Sequence, residues 1–308
     1  MKVKYFNITY NCNSSCLFCA ANIGLIHRDE KDLQLCDFIK SIEDAKLEPG
    51  DRIILNGGEP TLCSDFLKIV EFCESKGFIV DIYSNGKNFY DAEFCESVFK
   101  GGTYYIRIPL FGISELHDYL TGKTGNFLKT VTGIKNLVNT QAYKDKRLTI
   151  EIKLLLAKCC VDENVEVIEY LYDNGVLGKV SLSLNPLLIS KKVLNNSSLF
   201  VDTYSEMLKR SERLFLKAQK YGVIISTDLL PYCVIPQSYF DKGLIDTSKY
   251  FNAIQVEYND ASIKNDSNVI KNNHTGNSLC DKCKYRNKCP KFPLSYLEHF
   301  GKSEICPR

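Results

Sequence analysis

A cluster of three cysteines near the N-terminus constrains this sequence more than any other feature. Cys12, Cys16 and Cys19 have C-x3-C-x2-C spacing and follow residues 3–9, whose alternating apolar and polar residues predict a strand. A compact loop at a strand end directs three thiolates towards one place. Structural zinc sites and ordinary ferredoxin clusters use four protein ligands, so three ligands leave one iron of a 4Fe–4S cluster open to a small molecule. The alternatives are small buried hydrophobic residues or part of a zinc site.

A second motif, Gly57-Gly58-Glu59-Pro60, follows residues 52–56, which predict the next strand. Two glycines at a strand end allow the backbone to approach a ligand closely. The Glu59 carboxylate is an acceptor suited to an ammonium group. Taken alone, these four residues are also typical of a plain turn.

The two motifs, in this order, resemble those of the radical S-adenosylmethionine (SAM) enzymes, and Phe18 supplies the aromatic residue usual before the third cysteine. The resemblance implies that the open iron is chelated by the amino and carboxylate groups of SAM. It also implies that the backbone and carboxylate of residues 57–60 hold the SAM amino group. One electron, from a flavodoxin- or ferredoxin-like donor, would cleave SAM to methionine and a 5′-deoxyadenosyl radical, which takes hydrogen from substrate.

Predicted strands and helices alternate up to about residue 190, which indicates an α/β fold with a parallel sheet and right-handed crossovers. Six such units, and the family resemblance, predict a partial (β/α)6 TIM-like barrel over residues 1–200. Its ligands should lie at the C-terminal ends of the strands. Residues 201–308 would form a cysteine-rich extension. A long helix is predicted over residues 199–221 and a polar loop over residues 260–277.

Smaller features follow other predicted strands. Ser84 and Asn85 resemble a strand-end motif found near SAM in the family, and a helix-start turn explains them equally well. Arg107 alternates with apolar neighbours and is a candidate for the SAM carboxylate; its alternative is a solvated or salt-bridged strand residue. Asn185 ends the sixth strand, where family members often contact adenine.

The stretch from residue 108 to Phe127 resembles the segment between strand four and its helix in members that carry auxiliary-cluster domains. Within it, His117 is a weak candidate for a proton relay. A His-Asp pair before a helix more often orders its own loop by capping, and we favour that structural role.

Cysteines near the C-terminus predict a second metal site. Cys280, Cys283 and Cys289 have C-x2-C-x5-C spacing among Lys and Arg residues. They resemble the tail of SPASM or twitch domains, and the small number of candidates favours one twitch-like auxiliary 4Fe–4S cluster. The fourth ligand is Cys233, which we favour, or Cys306. Zinc held by the same thiolates is the alternative.

Composition excludes some classes of protein. A formal charge of +2 gives no reason to expect nucleic acid or an anionic membrane as partner, and no run of 18 apolar residues occurs.

Without a signal-peptide pattern, 14 cysteines indicate a reducing cytoplasm. The scattered cysteines are expected in the core: Cys36, Cys63, Cys73, Cys95, Cys159 and Cys160.

The resemblance also suggests the substrate. Family members with SPASM or twitch domains commonly modify ribosomally made peptides or protein side chains. A peptide or protein maturase is therefore the preferred interpretation. A radical SAM enzyme acting on a small molecule and an iron–sulfur electron-transfer protein are the alternatives. Gly57-Gly58-Glu59-Pro60 argues against an electron carrier, which needs no site for an amino group. Because Met1 lies next to the first strand, recognition of a leader peptide is expected to need a partner or the barrel itself.

Overall fold

The computed structural model describes residues 1–19, 31–227, 229–246, 256–258, 274–275, 278–287 and 289–308. They form two compact units, each assembled from separate stretches of chain. The first unit draws on residues 1–109, 117–152 and 253–265, and the second on residues 110–116, 153–252 and 266–308. The expected domain boundary after residue 200 falls inside the second unit and stays a prediction.

The first half of the chain alternates strands with helices. Its elements are β1 (Val3–Thr9), α1 (Leu35–Asp44), β2 (Arg52–Gly57), α2 (Phe66–Ser75), β3 (Ile79–Tyr83), α3 (Ala92–Val98), β4 (Thr103–Leu110), α4 (Ser114–Thr121), α5 (Asn126–Leu137), α6 (Gln141–Lys144) and β5 (Leu148–Leu156), with 3-10 turns at Pro60–Leu62 and Lys87–Tyr90.

The second half has shorter elements. They are α7 (Glu163–Asp173), β6 (Ser181–Pro186), α8 (Lys191–Leu194), α9 (Ser197–Phe200), α10 (Tyr204–Arg210), α11 (Glu212–Lys220), β7 (Ile225–Ser226), α12 (Gln237–Asp241), β8 (Ile245–Asp246), β9 (Val256–Tyr258), β10 (His274–Thr275), β11 (Phe292–Pro293) and α13 (Leu294–Phe300), with 3-10 turns at Leu177–Lys179 and Ser278–Lys282.

The strands of the first unit are ordered β9-β1-β2-β3-β4-β5, and β1 pairs in parallel with both β2 and β9. β3 pairs in parallel with β2 and β4. In the second unit the strand order is β6-β7-β8, with β7 parallel to β6 and β8. These pairings confirm the predicted parallel α/β class. No pairing among the described residues closes a sheet into a full barrel, in keeping with the predicted partial one.

The strands of the first unit are buried because helices cover the sheet. For the same reason most residues in the sequence of β2 are apolar. Phe6 on β1 and Ile53 on β2 have no exposed surface. The ring of Phe6 lies 4.5 Å from that of Phe38 on α1, between centroids. This contact packs α1 against β1.

Several local expectations were wrong. The predicted helix over residues 199–221 is divided into α10 and α11 at Ser211, whose hydroxyl donates to the Met207 carbonyl at 2.8 Å. Such back-bonding competes with helix geometry. Among the scattered cysteines, Cys36 is exposed and Cys159 is half-buried, whereas the other four are buried.

Other expectations fall partly outside the described residues. Of the polar loop predicted over residues 260–277, only His274 and Thr275 are described, and they form β10, paired antiparallel with β11. Within the described ranges, the helices are too short or too polar to cross a membrane.

Candidate active site

The cysteine loop leaves the C-terminal end of β1 and is docked onto α4. The backbone amides of Ser15 and Leu17 donate to the carbonyls of Thr121 and Leu120, each at 3.0 Å. Those carbonyls belong to the last turn of α4, which has no partners for them within the helix. Gly122 follows, and a Cβ built there would lie 2.2 Å from the Ser15 hydroxyl oxygen. The segment around the His-Asp pair therefore supports the cysteine loop.

The three loop cysteines differ in exposure. Cys12 is exposed, and Cys16 and Cys19 are half-buried, as is the neighbouring Phe18. The Ser14 amide donates to the Cys12 sulfur at 3.4 Å. Amide hydrogen bonds to cysteine sulfur are a common device of iron–sulfur sites. The donor set and this bond fit a thiolate-ligated cluster.

The glycine pair at the end of β2 holds the start of the cysteine loop. The amide of Gly58 donates to the Thr9 carbonyl and that of Glu59 to the Asn11 carbonyl, both at 2.8 Å. A Cβ on Gly57 would lie 2.2 Å from the Thr9 oxygen, and one on Gly58 equally close to the Asn11 oxygen. Sequence reasoning expected the glycines to admit a ligand. In the structure they admit the chain's own backbone, which ties the two motifs together.

Glu59 is fully buried and joins the ends of β2 and β3. Its Oε1 accepts hydrogen bonds from the Thr61 amide at 3.3 Å and hydroxyl at 2.7 Å, and from the Ser84 hydroxyl at 2.8 Å. Its Oε2 accepts from the Asn85 amide at 2.7 Å. Burial raises the pKa of Glu59, and these hydrogen bonds oppose the rise. Ser84 and Asn85, which the sequence indicated separately from Glu59, thus belong to the same hydrogen-bond network as Glu59. Pro60 is buried beside them and begins a 3-10 turn.

Sequence reasoning missed Lys87, which is only 4% exposed. Its ammonium donates to the Asn13 carbonyl at 2.6 Å, the Ser14 hydroxyl at 2.8 Å and the Asn126 side-chain oxygen at 3.1 Å. Burial lowers the pKa of Lys87, and the nearby Cys12, Glu59 and Cys16 oppose that shift. A lysine after a strand-end turn is ordinarily exposed, so the sequence carried no signal for this role.

Arg107 on β4 is buried among carboxylates. Its guanidinium donates to Asp81 at 3.0 Å through both Nε and Nη2, and to Glu151 at 2.9 Å through Nη1. Asp81, which sequence reasoning did not single out, also bonds Arg52 at 3.0 Å. The carboxylates raise the pKa of Arg107 against the effect of burial. The salt-bridged alternative describes Arg107 here, and its contact with the SAM carboxylate stays a prediction.

The His-Asp pair has the geometry of a capping element. Asp118 accepts hydrogen bonds from the amides of Gly125 at 2.6 Å and Phe127 at 2.7 Å, at the start of α5. His117 is 2% exposed and packs edge-on against the Phe127 ring. Burial lowers the pKa of His117 to about 4, so its imidazole is neutral at neutral pH. These contacts are those of a capping element, and a role for His117 as a proton relay stays a prediction.

Asn185 belongs to the second unit, near the end of β6. It is 8% exposed, and its amide donates to the Ser183 hydroxyl at 2.8 Å. The predicted contact between Asn185 and adenine is untested.

The second unit also contains a cavity near the C-terminus into which four cysteines open: Cys233, Cys280, Cys283 and Cys289. The amides of Tyr232 and Lys291 each donate to the Cys289 sulfur at 3.4 Å. Cys306 is exposed and is not among the residues lining the cavity, although its backbone amide bonds the Cys233 thiol. The fold therefore places Cys280, Cys283 and Cys289 around one cavity together with Cys233, and the identity of the fourth metal ligand stays a prediction.

Charged and aromatic residues surround this cavity. Arg286, Lys291 and Arg308 contribute to its lining. Burial raises the pKa of the Cys233 and Cys289 thiols, and the amide bonds to each oppose it. Among the described residues, no three His, Cys, Asp or Glu side chains are grouped so as to hold a single metal ion.

Curated relatives match about half of this chain. The sporulation killing factor maturation protein SkfB of Bacillus subtilis is 27% identical over 168 residues, which cover 54% of this chain and 39% of SkfB. The Fe-coproporphyrin III synthase of Methanosarcina barkeri is 29% identical over 134 residues, covering 44% of this chain and 33% of the synthase. The matched segments thus span well under half the length of these relatives.

Solved structures match over nearly the whole chain. Streptococcus suis SuiB bound to S-adenosylmethionine superposes with a TM-score of 0.63 at 14% identity, covering 99% of this chain and 76% of SuiB. SuiB bound to its precursor peptide SuiA gives a TM-score of 0.62, also at 14% identity, covering 96% of this chain and 72% of SuiB. At this identity the likeness shows the fold alone.

The sequence profile of the Radical SAM superfamily matches residues 6–189. The matched segment contains the cysteine loop, the buried Glu59 network and all strands from β2 to β6. Because it covers more than half of the chain, the chain belongs to the Radical SAM superfamily.

Proposed function

We propose that this protein cleaves SAM reductively at a 4Fe–4S cluster held by Cys12, Cys16 and Cys19, and that its substrate is a peptide or a protein side chain. The observation that carries the proposal is the joining of the two motifs. The Gly58 and Glu59 amides bond the backbone that leads into Cys12, so a thiolate loop and a buried carboxylate meet at the ends of β1 and β2.

Each motif has a distinct task in this proposal. Three cysteines would hold the cluster and leave one iron for SAM. When bound, cluster and SAM together supply the electron transfer and the 5′-deoxyadenosyl radical that takes hydrogen from substrate. Glu59 Oε2 accepts one hydrogen bond and Oε1 accepts three, so Oε2 is the oxygen with capacity left for the SAM ammonium. Ser84 and Asn85 hold that carboxylate in place.

Similarity supports the peptide substrate. SkfB is a maturation protein, and SuiB has been solved with a precursor peptide bound. A small-molecule substrate is the second candidate, because Fe-coproporphyrin III synthase shares 29% identity over its matched segment. In either case the electron would come from a flavodoxin- or ferredoxin-like donor.

The C-terminal cavity would hold the auxiliary 4Fe–4S cluster of a twitch-like or SPASM-like extension. Four cysteines line it, two amides bond the Cys289 sulfur, and three cationic side chains lie around it. Hydrogen bonds to sulfur and nearby positive charge both stabilise a negatively charged thiolate cluster. Cys233 is the fourth ligand in this proposal.

The test of the first cluster is a triple variant in which Cys12, Cys16 and Cys19 become Ala. With two clusters present, the variant should lose roughly half of its iron and all production of 5′-deoxyadenosine. Cys36→Ala, at an exposed cysteine on α1, is the matched control and should change neither. Persistent 5′-deoxyadenosine in the triple variant would refute the assignment.

The substrate is tested separately with candidate precursor peptides and iron–porphyrin precursors, each incubated with reconstituted protein, SAM and reductant. The proposal expects a mass change in a peptide that depends on SAM and is lost in the triple variant. Conversion of a small molecule, with no peptide modified, would support the second candidate instead.

A further inference from the structure

Lys87 is a buried cation beside the cysteine loop. Lysine is rarely buried unless its charge is paired. Here its three N–H donors have three acceptors, supplied by Asn13, Ser14 and Asn126, at 2.6 to 3.1 Å. The hydrogen-bonding capacity of the ammonium is therefore used in full.

All three of these acceptors are uncharged: a backbone carbonyl, a hydroxyl and an amide oxygen. A desolvated ammonium held by neutral groups favours negative charge nearby. Asn13 and Ser14 lie between Cys12 and Cys16 in the sequence, so the ammonium is fixed against the backbone that joins two proposed ligands.

We propose that Lys87 is the positioning residue of the cysteine loop, and that its buried positive charge favours the reduced form of the cluster that the loop would hold. The inference rests on the proposed function, because it takes Cys12, Cys16 and Cys19 as the cluster ligands. Lys87 would act on the cluster only through its charge and through the loop.

The two parts of this role have separate physical causes. Reduction moves one electron from the donor to the cluster and adds one negative charge to the site. A fixed positive charge lowers the free energy of that reduced state. Independently, the bonds to Asn13 and Ser14 restrain the loop, whose Ser15 and Leu17 amides are docked on α4.

The charge is tested by Lys87→Met, which keeps an unbranched stem but removes the ammonium. The reduced-to-oxidised ratio of the cluster, measured at a fixed potential, should fall at least about tenfold, the change that one unit charge produces even at about 12 Å in an effective dielectric constant near 20. For a one-electron couple a tenfold change corresponds to about 59 mV. The signal to follow by electron paramagnetic resonance is the component that changes when SAM is added.

Two variants serve as comparisons. Lys4→Met removes another buried lysine of the same unit, one that donates to the Ser41 carbonyl at 3.0 Å, and should leave the ratio unchanged. Lys87→Arg keeps the charge and alters the shape, so its ratio should stay close to that of the wild type. An equal fall in Lys87→Arg and Lys87→Met, or no fall in Lys87→Met, would overturn the role of the charge.

The positioning role has a readout that needs no cluster. In the protein without iron, Lys87→Met should speed hydrogen exchange at the Ser15 and Leu17 amides by roughly fivefold or more, because the loop loses its restraint. Lys4→Met should not change these rates. Unchanged protection in Lys87→Met would overturn this part, and the result remains interpretable where the variant fails to take up iron.

The triple cysteine variant separates this inference from the proposed function. If that variant retains the SAM-sensitive signal, the ligand assignment itself fails. If it loses the signal while Lys87→Met leaves the ratio and the exchange rates unchanged, only the role of Lys87 fails.

Discussion

Glu59→Gln is the most informative single substitution in the described network. The carboxylate has no exposed surface and accepts hydrogen bonds from two backbone amides and two hydroxyls. Glutamine keeps the shape but replaces one oxygen with an NH2 group, which donates. Placed at Oε2, the NH2 would face the Asn85 amide; placed at Oε1, it would face the Thr61 amide.

Either orientation leaves one partly buried backbone amide without its acceptor, since the hydroxyls can rotate and an amide cannot. An unsatisfied buried donor costs about 1–3 kcal/mol of stability. Since 1 kcal/mol shifts the melting temperature of a domain of 150–250 residues by about 2–4 °C, Tm should fall by roughly 2–12 °C. This effect belongs to the protein alone and requires neither iron nor SAM.

The assay is thermal unfolding of the iron-free protein, followed by calorimetric titration of the reconstituted protein with SAM. Loss of a charge-assisted bond worth about 1.5–3 kcal/mol should weaken SAM binding on the order of 10- to 150-fold. Glu71→Gln, at an exposed position within α2, is the matched control and should leave both quantities unchanged.

Ser84→Ala separates the two effects, because it removes one donor to Glu59 and leaves the charge. It should lower stability by about 1–3 kcal/mol, because the buried Gly86 amide also loses the Ser84 hydroxyl that it bonds at 3.0 Å, with little change in SAM affinity. An unchanged Tm in Glu59→Gln would refute the reasoning about buried donors. Unchanged affinity for SAM would show that Glu59 only braces the strand ends.

Three further predictions concern the supports of the two sites. Gly58→Ala should lower both Tm and iron content, because the added Cβ would lie 2.2 Å from the Asn11 oxygen. Gly178→Ala is the control and should be neutral, because no atom lies within 4 Å of a Cβ built there. Equal effects of the two substitutions would contradict the argument from close approach. His117 has a pKa of about 4 in the folded protein and 6.5 ordinarily, so between these pH values the unfolded chain binds more protons than the folded one. The free energy of unfolding should therefore fall by up to ~3 kcal/mol as pH drops from 6.5 towards 4. Denaturant unfolding of iron-free His117→Gln should show a flatter pH dependence, and an unchanged slope would speak against a buried neutral imidazole. In a background lacking the first three cysteines, Cys233→Ala should lower the remaining iron and Cys306→Ser should not; the reverse result, or zinc in anaerobically purified protein, would contradict the proposed auxiliary site.

Short-range patterns in the sequence predicted most of the fold. The alternation in residues 3–9 and the apolar run in β2 depend on neighbouring residues alone, which is why both strands were placed correctly. The division of the predicted long helix at Ser211 was missed because a serine in a helix can either point to solvent or bond the carbonyl four residues back. Only the fold buries Ser211 and leaves its hydroxyl bonded to the Met207 carbonyl.

The sequence by itself determined the family motifs, because each is a contiguous run whose spacing does not depend on the rest of the chain. Tertiary structure decided what surrounds them. Lys87 and the Asn13 carbonyl that it bonds are 74 residues apart, and Arg107 and Asp81 are 26 apart. The sequence offered Cys233 and Cys306 as the fourth cysteine, with Cys233 favoured, and only the fold shows that Cys233 lines the cavity whereas Cys306 is exposed. Such partners are fixed by strand register and loop docking, which bring together groups whose pairing no local pattern records.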